Sequence, residues 1–224
     1  MSKLPKFKNS ELLTTALSHR SSLNEKITTA TESNERLEFL GDAVLELLVT
    51  EFLYQKLPNE PEGKMTAIRS AMVKTTTLAE IGRQLEIGQE LYMSKGEEST
   101  GGRDNESLLA NSVEALIGAL YLDQGTKKVT AFLALHLFPK LDQILAQKLY
   151  RDHKSQLQEV VQALGHEAPV YQVIDEKGPD HDKVFIVQVL ISGQNYGQGE
   201  GKSKQLAQQE AAAQALESFT DLTN

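Results

Sequence analysis

Three carboxylates recur at one angular position on a strongly helical stretch of the chain: Glu35, Glu38 and Asp42, spaced i, i+3 and i+7. At 3.6 residues per turn they share a stripe. Like charges stacked this way repel by roughly 0.2–0.5 kcal/mol per pair on a helix surface. A bound cation would relieve that repulsion. Leu37, Leu40, Val44, Leu47 and Leu48 lie elsewhere on the same helix and are expected to anchor it in a core, holding the acids rigidly. Spacing alone leaves a plainer alternative open. An acidic stripe with Glu46 close by is also what a solvated helix face looks like.

Elements of two kinds must position this stripe. Apolar residues at three-to-four spacing predict helices over 10–19, 34–56, 64–85, 106–123 and 126–149, with a glycine-rich loop over 94–105. Pro58 and Pro61 separate the second helix from the third. Beyond a polar linker, 150–154, the pattern changes. A helix over 155–164 ends at Gly165, strands follow over 169–175, 184–191 and 194–200, and a last helix spans 203–219. Phe185, Val187, Val189 and Ile191 alternate on one strand face, and Ala207, Ala211, Ala215 and Phe219 form a stripe able to lie flat on a sheet. The expected fold class is an all-α domain, 1–149, followed by an α+β domain of order α-β-β-β-α, 155–224.

Composition narrows the class. The 224 residues, 40% hydrophobic and 24% charged, suit a globular protein with one or two cores. No apolar run reaches the roughly 20 residues that span a bilayer, and the first residues carry no signal-peptide core. The absence of cysteine excludes disulfides and thiolate chemistry, and a cytoplasmic protein fits. Charge pulls the other way from nucleic acid. The net is −8, and residues 153–224 hold five lysines against ten acids. Only local lysine placement favours a polyanionic partner, since counterion release depends on charges at the contact.

The run Asn34-Glu35-Arg36-Leu37-Glu38-Phe39-Leu40-Gly41-Asp42-Ala43-Val44-Leu45 resembles the signature motif of the ribonuclease III family, metal-dependent endonucleases of double-stranded RNA. Residues 62–69, 110–119 and 16–21 resemble further segments of that family's nuclease domain, in the expected order, and the C-terminal third resembles its double-stranded-RNA-binding domain. The resemblance implies a ribonuclease III nuclease fold, then the binding domain. It implies a homodimer that hydrolyses both strands of duplex RNA in rRNA or mRNA processing, leaving 5′-phosphate and 3′-hydroxyl ends. It further implies Mg²⁺, with Mn²⁺ as a substitute; a hard cation of this kind takes oxygen ligands and keeps several waters.

By the same resemblance Glu38, Asp42, Asn111 and Glu114 would hold the metal, with Asp42 and Glu114 catalytic, Glu35 and Glu62 supporting acids, and Phe39 a contact between subunits. Asn111 and Glu114 are i, i+3 and face one way. Phe39 is equally readable as a core residue, and Gly41 and Gly118 as ordinary packing or as sites of close helix approach. Asn111 departs from the family pattern, where many members carry Asp, so three charges stand where the usual set supplies four. A working variant, an impaired one and a substrate-trapping substitution all remain open. The alternative function is a duplex-binding protein whose cutting Asn111 has silenced or weakened. His19, His136, His153 and His166 show no ligand spacing.

A-form RNA presents 2′-hydroxyls in a shallow minor groove and phosphates between grooves. Ser155, Gln158, Glu159 and Gln162 form a polar helix face suited to the hydroxyls, and His181 in the loop 178–181 suits the next minor groove. Lys202, Ser203 and Lys204 begin the last helix, where free N–H groups and the dipole favour phosphate.

Overall fold

A computed structural model describes residues 3–179 and 183–220. The chain divides into two compact units between Tyr150 and Arg151.

The first unit is helical: α1 Ser10–Ala16, α2 Arg20–Asn24, α3 Glu35–Lys56, α4 Glu62–Val73, α5 Thr75–Gln84, α6 Ile87–Glu90, α7 Lys95–Ser99, a 3-10 turn Gly102–Asp104, α8 Glu106–Gln124, α9 Thr126–His136 and α10 Lys140–Ala146. Its core gathers Leu45, Leu48, Leu53, Ile68, Met72, Leu78, Ile81, Leu116, Ile117 and Leu120 around α3 and α8. Two expected helices are broken. The stretch 64–85 is interrupted at Lys74, whose ψ of 153° is extended. Buried Thr77 then spends its hydroxyl on the Ala71 carbonyl at 3.0 Å, the local competition with the helix ladder that threonine favours. The stretch 126–149 bends before α10 because Pro139 cannot donate a backbone hydrogen bond. Within the expected loop 94–105, Ser94 caps a short helix by accepting from the Glu97 amide at 3.2 Å.

The second unit runs α11 His153–Ala163, β1 Val170–Lys177, β2 Val184–Ile191, β3 Gln194–Gly201 and α12 Lys204–Thr220, with an antiparallel sheet in the order β1-β2-β3. Helix α11 begins inside the expected linker because Asp152 caps it, accepting from the Ser155 amide at 3.2 Å. It ends with Gly165 at φ 80° and the His166 amide bonded to the Val161 carbonyl at 2.9 Å, a left-handed glycine stop. Val187, Val189 and Ile191 face Ala207, Ala211, Ala215 and Phe219 in a separate core. Gly197, Gly199 and Gly201 alternate on β3, where any Cβ would run into α12. The helix therefore rests on the strand's backbone. Among the described residues no single helix is long and apolar enough to cross a membrane.

Candidate active site

The acidic helix is fixed at its start. The amide of buried Asn34 bonds the Ser18 carbonyl at 2.9 Å, and the Glu38 amide bonds the Asn34 carbonyl at 2.8 Å. Ser18 is itself held, because Tyr92 bonds Leu17 and His19 on either side of it. His19 caps α2 through the Ser21 amide, the structural role expected of a histidine without ligand spacing. Leu37, Val44 and Leu48 are buried as expected, Leu40 packs half-buried against the core, and Leu45 is buried beside them. Leu47 is not buried: it is 63% exposed. At 100° per residue it lies on the outer side of the helix with Phe39, away from the buried stripe.

Helices α3 and α8 run antiparallel and cross in backbone contact. A methyl group on Gly41 would collide with the Glu114 carbonyl, and one on Gly118 with the Leu37 carbonyl. This crossing sets Glu38 and Asp42 opposite Asn111 and Glu114. Burial, then the charges of Asp42 and Glu38, push the Glu114 carboxyl up to about 7. Glu38 is also raised, first by burial and then by Glu35 and Asp42, while a hydrogen bond from Asn111 works in the opposite direction. The four side chains thus act on one another. Three carboxylates and an amide are all hard oxygen donors, and their unrelieved repulsion fits a small divalent cation. They do not form a closed shell: among the described residues no three His, Cys, Asp or Glu side chains have the mutual placement of a preformed metal centre.

The two further acids part company. Glu35 belongs to this cluster: its charge reaches Glu38, Ser33 donates to it at 2.9 Å, and Arg20 lies 3.8 Å away. Glu62, in the first turn of α4, stands elsewhere. It accepts from the Thr66 hydroxyl at 3.0 Å and lines a pocket of about 200 Å³ with Leu53, Tyr54, Met65 and Arg69. Phe39 is not a core residue, being 82% exposed. Tyr54, 73% exposed, follows it along the same side of α3. Arg69 escaped sequence reasoning. It pairs with Glu46 at 2.8 Å and donates to Thr50 at 3.0 Å, tying α4 to α3 beside the pocket. Only the three-dimensional turn between those helices reveals it.

In the second unit Ser155, Gln158, Glu159 and Gln162 are all exposed, opposite buried Leu157 and Val161. The Ser155 hydroxyl already donates to Asp152 at 2.7 Å. Ser203 accepts from the Leu206 amide at 3.2 Å and so caps α12. Lys202 and Lys204 are exposed beside it. His181 lies outside the described residues.

A helical unit with an acidic cluster at a helix crossing is thus joined to an α-β-β-β-α unit. Residues 9–141 match the ribonuclease-III-like family and residues 153–218 the double-stranded RNA binding motif. Ribonuclease 3 of Pelotomaculum thermopropionicum is 48% identical over 205 residues, covering 92% of this chain and 85% of that protein. Ribonuclease 3 of Streptococcus pneumoniae is 45% identical over 215 residues, covering 96% and 92%. The crystal structure of the ribonuclease III nuclease domain from Campylobacter jejuni superposes with a TM-score of 0.55 at 39% identity, covering 62% of this chain and 90% of that one. The chain belongs to the ribonuclease III family.

Proposed function

We propose that the protein is a divalent-cation-dependent endonuclease that cuts both strands of duplex RNA, leaving 5′-phosphate and 3′-hydroxyl ends. The observation that carries this reading is the meeting of Glu38, Asp42, Asn111 and Glu114 where Gly41 and Gly118 let two helices touch. Mg²⁺ or Mn²⁺ bound there would activate a water and stabilise the leaving alkoxide. Glu38, Asp42 and Glu114 would hold it. The Asn111 amide nitrogen faces Glu38, which leaves its carbonyl oxygen for the cation or its water. Half-buried beside Asp42 and Glu38, the Glu114 carboxylate is costly to charge until a cation arrives. The exposed face of α11 and the start of α12 would grip the duplex by shape and phosphate, with little sequence preference. Such an enzyme would process rRNA and mRNA precursors in the cytoplasm.

The working form in this reading is a homodimer. Phe39, Leu47 and Tyr54 form an exposed apolar stripe bordering the acids, and a nuclease-domain structure from Campylobacter jejuni is described by flexibility in its dimer-forming region. A second copy's Phe39 entering the pocket lined by Tyr54 and Met65 would carry its own Glu38 close to Glu62. That arrangement would give the remote acid a supporting place in the partner's site.

Replacing Glu114 with Ala tests the division of labour. Cleavage should fall by on the order of 10³-fold or more, while duplex affinity measured with chelator stays near wild type. Loss of binding in step with loss of cleavage would contradict the assignment. Asn111, one charge short of the usual set, favours a second reading: a duplex-binding protein with a silenced site. Cleavage by the unaltered chain separates the two.

A further inference from the structure

An anion from the protein itself already meets the side chain of Lys204, the first residue of α12. Glu176, on β1, lies across from Phe185 on β2. Its Oε1 is 3.7 Å from the Lys204 ammonium and its Oε2 is 3.3 Å from that of Lys183. Lys204 also sits 5.4 Å from the centre of the Phe185 ring. One carboxylate thus bridges the ammonium of a lysine in the first turn of α12 to that of a second lysine just before β2, and on Lys204 it occupies a partner's place that a phosphate oxygen could take.

We propose that Glu176 is an internal competitor of the RNA phosphate, holding Lys204 in the free protein and giving it up when duplex binds. The proposal rests on the reading of Lys204 as a phosphate contact. Exchange is feasible because the three side chains are 59%, 32% and 39% exposed, for Lys204, Lys183 and Glu176, and pairs this open are weak. Displacing the carboxylate costs the same for any phosphate, and a duplex that engages α11 at the same time offsets that cost with its other contacts. The freed carboxylate takes up a cation from solution and cancels part of the counterion release, so affinity should depend less steeply on salt than the number of lysine contacts implies.

Anisotropy titrations of a labelled RNA duplex, with chelator present, would compare wild type, Glu176→Gln, Lys204→Gln and the double variant at low and high salt. Glu176→Gln should bind about two- to five-fold tighter at low salt, with a steeper salt dependence, and most of that gain should vanish in the Lys204→Gln background. Unchanged or weaker binding by Glu176→Gln, where Lys204→Gln does weaken binding, overturns the proposal. So does a gain that persists undiminished without Lys204, which would be a general charge effect. If Lys204→Gln alone changes neither affinity nor salt dependence, the phosphate reading of that lysine fails first, and the competitor fails with it.

Discussion

Glu114 is the residue on which the chemistry and the electrostatics converge. Its carboxyl is pushed up to about 7 by burial and by two neighbouring acids. The folded pKa exceeds the ordinary value of 4.5, so folding favours the protonated form. That stabilisation is complete below the ordinary value and disappears as pH climbs through about 7. Without metal, Glu114→Gln should therefore melt higher than wild type at pH 8, roughly, with the gap closing towards pH 4. Divalent cation should stabilise wild type and do far less for the variant. Thermal melts across pH, with and without Mg²⁺, check both; a variant that melts lower than wild type at high pH would contradict the burial of a strained carboxylate. The acids of this cluster were legible through the family motif they resemble; their i, i+3 and i+7 spacing survives any tertiary arrangement of a helix, but alone it left a solvated face open. The separation of Glu62 from them was not legible, since it depends on the turn between α3 and α4. Phe39 was undecided for a similar reason: periodicity gives its angle on the helix, but not which angles the neighbouring helices leave open.

At the scale of elements, glycine decides where the site forms. Gly41→Ala and Gly118→Ala should each cost at least about 1–3 kcal/mol, because α3 and α8 must part to admit the methyl group. Cleavage should drop with stability, as the two halves of the acidic cluster separate. Gly63→Ala in α4 is the control: its added methyl meets nothing within 4 Å, so it should be neutral or slightly stabilising. Denaturant melts of the three variants test the contrast, and equal effects would show that the crossing is not tight. The same logic explains the composition of β3. Its inward positions are Gly197, Gly199 and Gly201, selected by the closeness of α12 rather than by strand preference. β2 was plain because its inward residues are Val187, Val189 and Ile191. The breaks at Lys74 and before α10 were missed where apolar spacing continued across them; Pro139 was the available sign for the second.

The molecule as a whole joins two units with separate cores, and its net charge of −8 runs against a polyanionic partner. Composition could not resolve that conflict, because it averages over surfaces. Placement does more: the exposed lysines of the second unit include Lys202 and Lys204 at a helix start, beside a carboxylate that holds one of them in check. Assembly is the other property of the whole. In the proposed homodimer, Phe39→Asp should shift the protein towards monomer in sedimentation experiments and lower cleavage about tenfold or more, since the carboxylate loses the apolar contact with Leu53, Tyr54 and Met65 and meets Glu62 in the same pocket. A variant that stays dimeric would show that the stripe of Phe39, Leu47 and Tyr54 serves another purpose. One comparison decides whether Asn111 completes a working metal-dependent site. A labelled RNA duplex and its single strand are incubated with Mg²⁺, Mn²⁺ or chelator, using the chain as it stands and its Asn111→Asp variant. The unaltered chain should cut duplex but not single-stranded RNA, and only with the cation. Cleavage by the Asn111→Asp protein alone, or by neither although both bind duplex, would contradict it.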